Sequence, residues 1–370
     1  MKPLHVLLSL LGLGVLVACK KSGYQTKDGS VYYKDYLIRS ADYGSFQELN
    51  SVFARDKTGG YYRGIFLDST AGASFTALDD HYAKDNTTVY FCDNYIDFKL
   101  FETTRKDKVN RVVGADAASF EVIGSEYNYA RDKFRAYYEG VGFAVSDVAS
   151  FVPLSPQFGK DNRVGYYQQA PIVGSDGASF VMMSRNFAKD KRAVYYFWNT
   201  VDMPIDGATS GVHTIQNALP DSFTAVGMYY ATDKNHAFYK DNLIPEADPA
   251  TFSQWDETEI DYARDSTRIY FQQHWIKGAD RQTFSLLTDE YAQDSKTIYY
   301  HNHPLSNADR ATFTVLAYGY AKDTRRVYYE GKALPHADAA SFAMITNEAD
   351  RDATDKTHSY AAGRRISRTE

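Results

Sequence analysis

The sequence predicts a mainly β protein with short helical turns, built from tandem repeats of about 29 residues stacked as a β-rich solenoid or superhelical array. Three features recur together along the chain. An Asp lies three positions after an aromatic residue, two adjacent aromatic residues follow the Asp, and a Phe preceded by Ser or Thr comes later. Recurrence at a fixed period is typical of architectures in which each unit buries its apolar surface against its neighbours.

The recurring Asp defines ten copies of the repeat and a truncated eleventh. Most successive Asp residues are separated by 28, 29 or 32 residues, and two intervals are longer, at 47 and 43 residues. The ten are Asp28, Asp56, Asp85, Asp132, Asp161, Asp190, Asp233, Asp265, Asp294 and Asp323, and Asp355 marks the eleventh copy. Because an Asp side chain can accept hydrogen bonds from backbone amides two residues on, these residues are predicted to form structural turns.

The tenth copy illustrates the predicted content of one repeat. Strand-forming residues flank Asp323, which indicates a hairpin, and a second turn at residues 330–332 leads into a short third strand. Asp338 lies three residues before Ser341, which is the spacing of a cap for one helical turn that carries Phe342 inward. Each copy is therefore predicted to contain about three short strands and one helical turn. A closed propeller is the competing geometry, although its blades usually need about 40 residues.

Several copies share the pattern Asp-Lys-x-x-x-Tyr-Tyr. The clearest instances are Asp132-Lys133 with Tyr137-Tyr138 and Asp190-Lys191 with Tyr195-Tyr196. The pattern resembles the bacterial DKNYY repeat family, and the resemblance covers about residues 24 to 360. It implies an envelope or secreted repeat protein, often a lipoprotein, and it carries over no activity and no functional residues. Other copies lack the Lys of the motif, so the Asp and the aromatic residues carry the resemblance.

The N-terminus has the features of a lipoprotein signal peptide. Lys2 provides a charged start, and residues 6–17 are almost wholly apolar but too few to span a membrane. The segment that ends in Ala18-Cys19 resembles the bacterial lipobox. Residues 1–18 are therefore predicted to be a signal peptide. The alternative is an ordinary secretory signal that happens to contain a Cys.

Cleavage before Cys19 leads to a predicted lipid anchor. Cys19 is expected to be acylated, with palmitate as a typical chain, and residues 19–23 form the lipidated N-terminus and a short tether. No later segment approaches 18 consecutive apolar residues, so the lipid is the predicted membrane attachment. Lys20 and Lys21 follow the Cys in place of Asp, which in a Gram-negative host favours the outer membrane.

Charge and cysteine content exclude several classes of partner and site. The formal net charge is −6, and it becomes −7 once Lys2 is removed with the signal peptide, so no nucleic acid partner is expected. Cys92 is the remaining cysteine, which excludes an intramolecular disulfide and a zinc site built on thiolates. Residues 361–370 form a basic tail that is predicted to be a solvated end.

The paired aromatic residues provide one candidate binding surface. Neighbouring residues on a strand face opposite ways, so the two aromatic residues of each copy form two rows on opposite faces of the sheet. If the first row is exposed, it forms a tyrosine ladder suited to sugar rings or a peptide. Its candidate residues are Tyr195, Tyr270, Tyr299 and Tyr328. The alternative is that helical turns cover this face too, with the tyrosine hydroxyls reaching the surface.

Two insertions interrupt the repeat and provide the other candidate surface. They lie near residues 92–110 and 197–217, and the second contains Trp198 and His213. Insertions in solenoids often become loops on the binding face. The alternative interpretation is a pair of lengthened hairpins.

Catalysis and metal binding find little support in the sequence. Calcium solenoids use glycine-rich turns with several oxygen ligands per site, whereas here single Asp residues stand beside Lys or Arg. The nine histidines recur at no fixed position, and no catalytic elbow or phosphate loop is present. We therefore expect a non-catalytic envelope scaffold or binding array without cofactor or metal, whose partner is an unknown protein or glycan. The alternative is a carbohydrate or cell-wall binding module that uses the tyrosine ladder.

Overall fold

Short antiparallel strands make up most of the regular structure. The computed structural model describes residues 23–99, 102–199, 210–256, 261–305, 307–346 and 350–366. Within them the chain divides into two units, one ending at Pro171 and the other beginning at Ile172. Each repeat copy forms its own small sheet in which consecutive strands are neighbours, so the prediction of a mainly β tandem-repeat fold is confirmed.

The described part of unit 1 contains the sheets of copies 1 to 5. The strands are Tyr24–Lys27, Ser30–Tyr33 and Tyr36–Leu37 in copy 1; Gln47–Glu48, Phe53–Arg55, Gly60–Tyr62 and Ile65–Leu67 in copy 2; Thr76–Ala77, Tyr82–Lys84, Val89–Lys99 and Glu102–Arg111 in copy 3; Glu121–Gly124, Tyr129–Arg131, Ala136–Tyr138 and Val141–Phe143 in copy 4; and Val152–Pro153, Phe158–Lys160, Gly165–Tyr167 and Ala170–Pro171 in copy 5. Single 3-10 turns span Tyr43–Ser45, Gly72–Ser74, Ser125–Tyr127 and Val148–Ser150.

The described part of unit 2 contains the sheets of copies 6 to 11. The strands are Val181–Met182, Phe187–Lys189, Val194–Asn199 and Ser210–Thr214 in copy 6; Thr224–Ala225, Tyr230–Thr232, Ala237–Tyr239 and Asn242–Ile244 in copy 7; Ser253–Gln254, Tyr262–Arg264, Ile269–Phe271 and His274–Trp275 in copy 8; Ser285–Leu286, Tyr291–Gln293, Ile298–Tyr300 and His303–Pro304 in copy 9; Thr314–Val315, Tyr320–Lys322, Val327–Tyr329 and Lys332–Ala333 in copy 10; and Ala343–Met344, Ala353–Thr354, Ser359–Ala361 and Arg364–Ile366 in copy 11. Single 3-10 turns span Gly177–Ser179 and Pro220–Ser222.

Copies 2 to 11 contain four strands, where the sequence predicted about three. The additional strand has two residues in most copies and follows the recurring Phe directly. In copy 10 it is Thr314–Val315, which pairs with Tyr320–Lys322 through Thr314↔Lys322 and Val315↔Ala321. A strand this short shows no alternation of polar and apolar residues, so the sequence pattern could not reveal it.

Within each unit, the cores lie between consecutive sheets. In unit 2, one face of the copy 8 sheet packs against the opposite face of the copy 9 sheet. The buried cluster there consists of Tyr262, Ile269, Phe271, Ile276 and Phe284 from copy 8 with Ala292 and Tyr299 from copy 9. The same combination of positions forms the clusters between copies 7 and 8 and between copies 1 and 2. A single copy therefore cannot complete a core by itself, as expected for stacked repeats.

The first and last described copies carry polar residues at positions that are apolar elsewhere. In copy 11, Asp352 stands where copy 10 has Tyr320, and Ser359 stands where copy 10 has Val327. In copy 1, the exposed Gln25 occupies the position of the buried Ala in other copies. Ser359 is buried all the same, whereas Gln25 is exposed.

Both insertions form lengthened hairpins, which was the alternative interpretation. In copy 3 the strands Val89–Lys99 and Glu102–Arg111 stay paired as far as Lys99↔Glu102. In copy 6, Val194–Asn199 pairs with Ser210–Thr214. Residues 200–209 of this second insertion lie outside the described residues.

The predicted ends of the chain are only partly described. The signal peptide, Cys19 and most of the tether lie outside the described residues. The prediction that 361–370 is a solvated tail is wrong for Arg364–Ile366, which forms the fourth strand of copy 11 and pairs with Ser359–Ala361. The sequence did not indicate this strand, because two of its three residues are arginines and only Ile366 is apolar. In the described part of the chain, no helix is long and apolar enough to cross a membrane.

Candidate functional site

The recurring Asp accepts four hydrogen bonds from the protein, as Asp294 shows. One carboxylate oxygen, Oδ1, accepts from the backbone amides of Lys296 and Thr297, both at 2.7 Å. The other, Oδ2, accepts from the Tyr299 hydroxyl at 2.8 Å and from the Asp280 amide at 2.9 Å. Asp294 is only 1% exposed. The carboxylate thus connects its own turn, the next strand and the start of the preceding hydrogen-bonded turn.

The contacts with backbone amides recur in copies 2 to 11, and the tyrosine contact recurs in eight of these copies. In each of these copies the Asp accepts the amide that starts the turn before the recurring Phe, which is a 3-10 turn in copies 2, 3, 5, 6 and 7. The acceptors are Asp56, Asp85, Asp132, Asp161, Asp190, Asp233, Asp265, Asp294, Asp323 and Asp355. The tyrosine contact is made by Tyr61, Tyr137, Tyr166, Tyr195, Tyr270, Tyr299, Tyr328 and Tyr360. All ten carboxylates are buried.

Asp28 in copy 1 lies in a turn, as predicted, but the turn differs from that of the other copies and Asp28 does not share their buried environment. Asp28 is exposed and has a φ of 51°, and Gly29 has a φ of 74°. Together they form the two-residue turn of a hairpin in which Lys27 pairs with Ser30. Copy 1 has one residue fewer between the Asp and the aromatic pair, and this spacing favours a two-residue hairpin turn with positive φ.

Burial and hydrogen bonding act in opposite directions on the Asp carboxyls. Burial by itself raises the pKa of Asp294, but the hydrogen bonds that it accepts outweigh burial and hold the pKa below its usual value. The pKa is lowered in the same way at Asp56, Asp85, Asp132, Asp161, Asp265, Asp323 and Asp355. Burial and the neighbouring carboxylate raise the pKa of Tyr61 and Tyr328 to about 12. These eight carboxylates are therefore charged and these two tyrosines neutral near pH 7.

The other polar residues of the motif are also bonded to one another. In copy 4, Lys133 forms a 2.9 Å ion pair with Asp116, and this contact, together with Ser119, lowers the Asp116 pKa to about 2. The Ser119 hydroxyl accepts the Lys133 amide at 3.1 Å. The Lys of the motif pairs in the same way in Lys57–Asp42, Lys191–Asp176 and Lys356–Asp338. The motif thus describes a structural network.

Donors, rather than further carboxylates, surround each recurring Asp. Asp294 is in contact with two turn amides, a hydroxyl and a linker amide, which leaves no cluster of oxygen ligands for a calcium ion. Among the residues that the structure describes, no group of three or more His, Cys, Asp or Glu side chains could hold a metal ion.

The predicted tyrosine ladder is not at the surface. Tyr195, Tyr270, Tyr299 and Tyr328 are 2%, 0%, 1% and 3% exposed, and each hydroxyl donates to a buried Asp. The alternation argument placed the two aromatic rows on opposite faces correctly, but neighbouring copies cover both faces. The interpretation of these four tyrosines as an exposed binding surface is therefore wrong.

Trp198 and His213 lie together at the base of the copy 6 hairpin. Their ring centroids are 6.4 Å apart. The His213 side chain is exposed, and its Nδ1 lies 2.6 Å from Oδ2 of Asp241, in the turn before the fourth strand of copy 7. The structure thus brings two of the predicted binding residues together and joins them to the next copy.

A groove that the sequence analysis missed runs along the fourth strands of copies 7, 8 and 9. We call it the edge groove, and its volume is about 860 Å³. It is lined by Asn242, Leu243, Pro245, Glu246, Gln273, His274, Trp275, Lys277, Asn302, His303 and Pro304. The residues come from equivalent positions of three copies but differ between them, so a search for recurring residues could not find them.

Trp275 is the largest side chain of the edge groove. It is 40% exposed, and the Arg268 guanidinium lies 4.9 Å from the centroid of its ring. Arg268 is in turn held by a 3.0 Å ion pair with Glu246. On the strand, Trp275 is opposite Tyr270, so the buried hairpin of copy 8 sets its position.

A second concavity lies beside the copy 3 hairpin in unit 1, with a volume of about 580 Å³. Its lining includes Asp93, Tyr95 and Asp107, but Asp107 already forms a 2.8 Å ion pair with Arg63. Asp107 is therefore already occupied by a partner within the protein.

Comparison with known proteins gives one match. The family model of the DKNYY family matches residues 10–94, 65–141, 105–242 and 241–364. No curated protein and no solved structure matches the chain.

We predict that Asp294→Asn lowers the free energy of unfolding by about 2 to 3 kcal/mol, because the new amide places a donor against the Tyr299 hydroxyl and the Asp280 amide. Asp28→Asn is the matched control. Because Asp28 is exposed and Asn tolerates positive φ, we expect a change within about 0.5 kcal/mol. Urea unfolding of both variants measures the difference. Equal effects would contradict the structural role of Asp294.

We also predict that the melting temperature falls steeply between pH 4 and pH 2. Asp294, Asp323 and the other carboxyls listed with them above have a lowered pKa in the folded state, whereas in the unfolded chain the pKa of Asp is about 3.9. Their contribution to stability is therefore fully present above about pH 4 and is lost as the pH falls through the folded-state pKa values. Thermal melts across this range test the prediction, and Asp294→Asn should lose less stability on acidification than the wild type. A flat profile down to pH 2 would contradict it.

Proposed function

The chain belongs to the DKNYY family, and on that premise we propose that it is a non-catalytic binding array of the bacterial cell envelope, anchored by a lipid on Cys19. One observation carries the proposal. The residues that recur in the copies are buried and bonded to one another, whereas residues that vary between copies line an accessible groove. The recurring residues thus form the stacked array, and the variable residues make its accessible surface differ from copy to copy.

The contrast between Tyr270 and Trp275 supports this division. Tyr270 is fully buried and its hydroxyl donates to Asp265, so it has no surface to offer. Trp275 lies directly across the strand pair, yet it is exposed at the edge of the sheet. Exposed aromatic residues beside unpaired polar groups are a common basis of recognition.

The lipid anchor is supported by the sequence around the predicted cleavage site. Ala18-Cys19 follows an apolar segment of signal-peptide length, and Lys20 and Lys21 come next. In a Gram-negative host this arrangement favours the outer membrane. The anchor holds the repeats at the membrane surface, where a binding array meets other envelope components.

A non-catalytic role is supported by the positions of the acidic groups. The recurring carboxylates are occupied by backbone and hydroxyl donors, and Glu246 in the edge groove is paired with Arg268. General acid–base chemistry uses a carboxyl or imidazole aimed at a reacting atom and supported by a partner. The network of the repeat uses its acids for structure instead.

For the anchor, we predict that Cys19→Ser abolishes acylation and releases the protein from membranes. Metabolic labelling with a fatty-acid probe and sedimentation of membranes measure both effects. Cys92→Ser is the matched control, because Cys92 is buried and should not be the acylated residue. A Cys19→Ser protein that still labels and sediments would show that the lipid assignment is wrong.

For the binding role, we predict that Trp275→Ala removes most of the covalent adducts that the protein forms in intact cells treated with a crosslinker. Tyr36→Ala is the control, because Tyr36 is also an exposed aromatic residue on the last strand of its sheet, in copy 1. Both side chains are exposed, so the fold should be retained, and circular dichroism checks this. The same adducts at the same yield in both variants would argue against the edge groove as the binding surface.

A further inference from the structure

We propose that the edge groove binds a neutral glycan, with one sugar ring lying against Trp275. The inference rests on the proposed binding function and adds its ligand class. It does not use the tyrosine ladder, whose residues are buried. Three properties of the groove support it: a positioned aromatic ring, polar side chains without internal partners, and extension over three copies.

The Trp275 ring is held in place. The Arg268 guanidinium lies 4.9 Å from the ring centroid, and Glu246 binds Arg268 through both its carboxylate and its backbone carbonyl. A side chain that is already ordered loses little entropy when a ligand binds. The ring nevertheless remains 40% exposed, so it presents apolar surface to the groove. The C–H face of a sugar ring is complementary to such an aromatic plane.

Four polar side chains of the groove have no hydrogen-bond partner in the described part of the chain. They are Gln273, His274, Asn302 and His303. Amides and neutral imidazoles each offer both a donor and an acceptor. Sugar hydroxyls also donate and accept, so these side chains match a polyhydroxylated ligand better than a purely anionic or cationic one.

The groove is long enough for more than one sugar ring. It follows the fourth strands Asn242–Ile244, His274–Trp275 and His303–Pro304 of three consecutive copies. Packed sheets are about 10 Å apart, so the three strands span about 20 Å. The volume of about 860 Å³ is in the range of ligand-binding clefts. An oligosaccharide that runs across the strands therefore fits these dimensions.

The charge of the groove disfavours a nucleic acid or another polyanion. Lys277 is one positive lining residue and Glu246 is one negative one. The formal net charge of the whole chain is −6. Binding to a phosphate backbone depends on several cations that replace counterions, which this lining does not supply.

The strand geometry disfavours an extended peptide. A peptide that joins a sheet edge gains affinity from a row of backbone hydrogen bonds. The edge strands His274–Trp275 and His303–Pro304 have two residues each, and Pro304 has no amide hydrogen to donate. Little backbone pairing is therefore possible, and side chains must provide the recognition.

Calorimetric titration of the detergent-solubilised full chain tests the proposal. The probes are the hexasaccharides of N-acetylglucosamine, of β-linked glucose and of α-linked glucose, with a sulfated hexasaccharide and an uncharged hexapeptide for comparison. We expect at least one neutral hexasaccharide to bind. Trp275→Ala should weaken that binding about tenfold or more, Trp275→Phe should retain most of it, and Gln273→Ala with Asn302→Ala should weaken it severalfold. Tyr36→Ala should leave it unchanged.

Three results would overturn the glycan assignment: no binding of any neutral hexasaccharide, equal binding by Trp275→Ala, or binding of the hexapeptide in preference to the sugars. The crosslinking experiment separates this failure from that of the binding function. If adducts in cells depend on Trp275 but no sugar binds, the groove is a binding site for another ligand class. If adducts do not depend on Trp275, the proposed function itself fails at this surface.

Discussion

One buried carboxylate in each of copies 2 to 11 holds the repeat together. Asp294 binds the amides of its own turn, the hydroxyl of Tyr299 and the amide of Asp280 in the preceding linker. An unpaired buried charge is costly, but here every contact is a donor, and the pKa of the carboxyl falls despite burial. Because a single group binds a turn, a strand and a linker, the position of each sheet relative to the preceding linker depends on it.

This contact also determines where the aromatic side chains lie. A tyrosine whose hydroxyl donates to a buried Asp must place its ring inside the protein, so the first aromatic row is part of the core. The aromatic residues of the second row pack toward the next copy. Copy 7 has Phe238 at the tyrosine position, and there the Nδ1 of His236 lies 3.3 Å from the Asp233 carboxylate. In copy 3, the Tyr90 hydroxyl donates to the Asp68 carbonyl instead. The requirement is therefore a partner for a buried polar group, which different copies meet in different ways.

Recurrence made part of this structure predictable. The Asp, the aromatic pair and the Ser or Thr before Phe could be placed because they repeat at regular spacing, and the mainly β tandem fold followed from them. The fourth strands were missed because two residues carry no periodicity. The burial of Tyr299 was left open because alternation assigns a side chain to a face but does not say what covers that face. The edge groove was invisible because Leu243, Trp275 and Pro304 share a position but no residue type.

The positions that the carboxylate network does not reach are therefore the ones at which copies can differ. Trp275, Pro304 and Ala333 occupy the same place on the fourth strand, opposite Tyr270, Tyr299 and Tyr328. The tyrosines are held by hydrogen bonds to Asp, whereas the residues across from them lie at a sheet edge, where substitution disturbs little packing. Changing these edge residues alters the accessible surface while the stacked cores stay the same. An array of this kind can thus acquire a binding site in one stretch of copies without any change to the repeat that supports it.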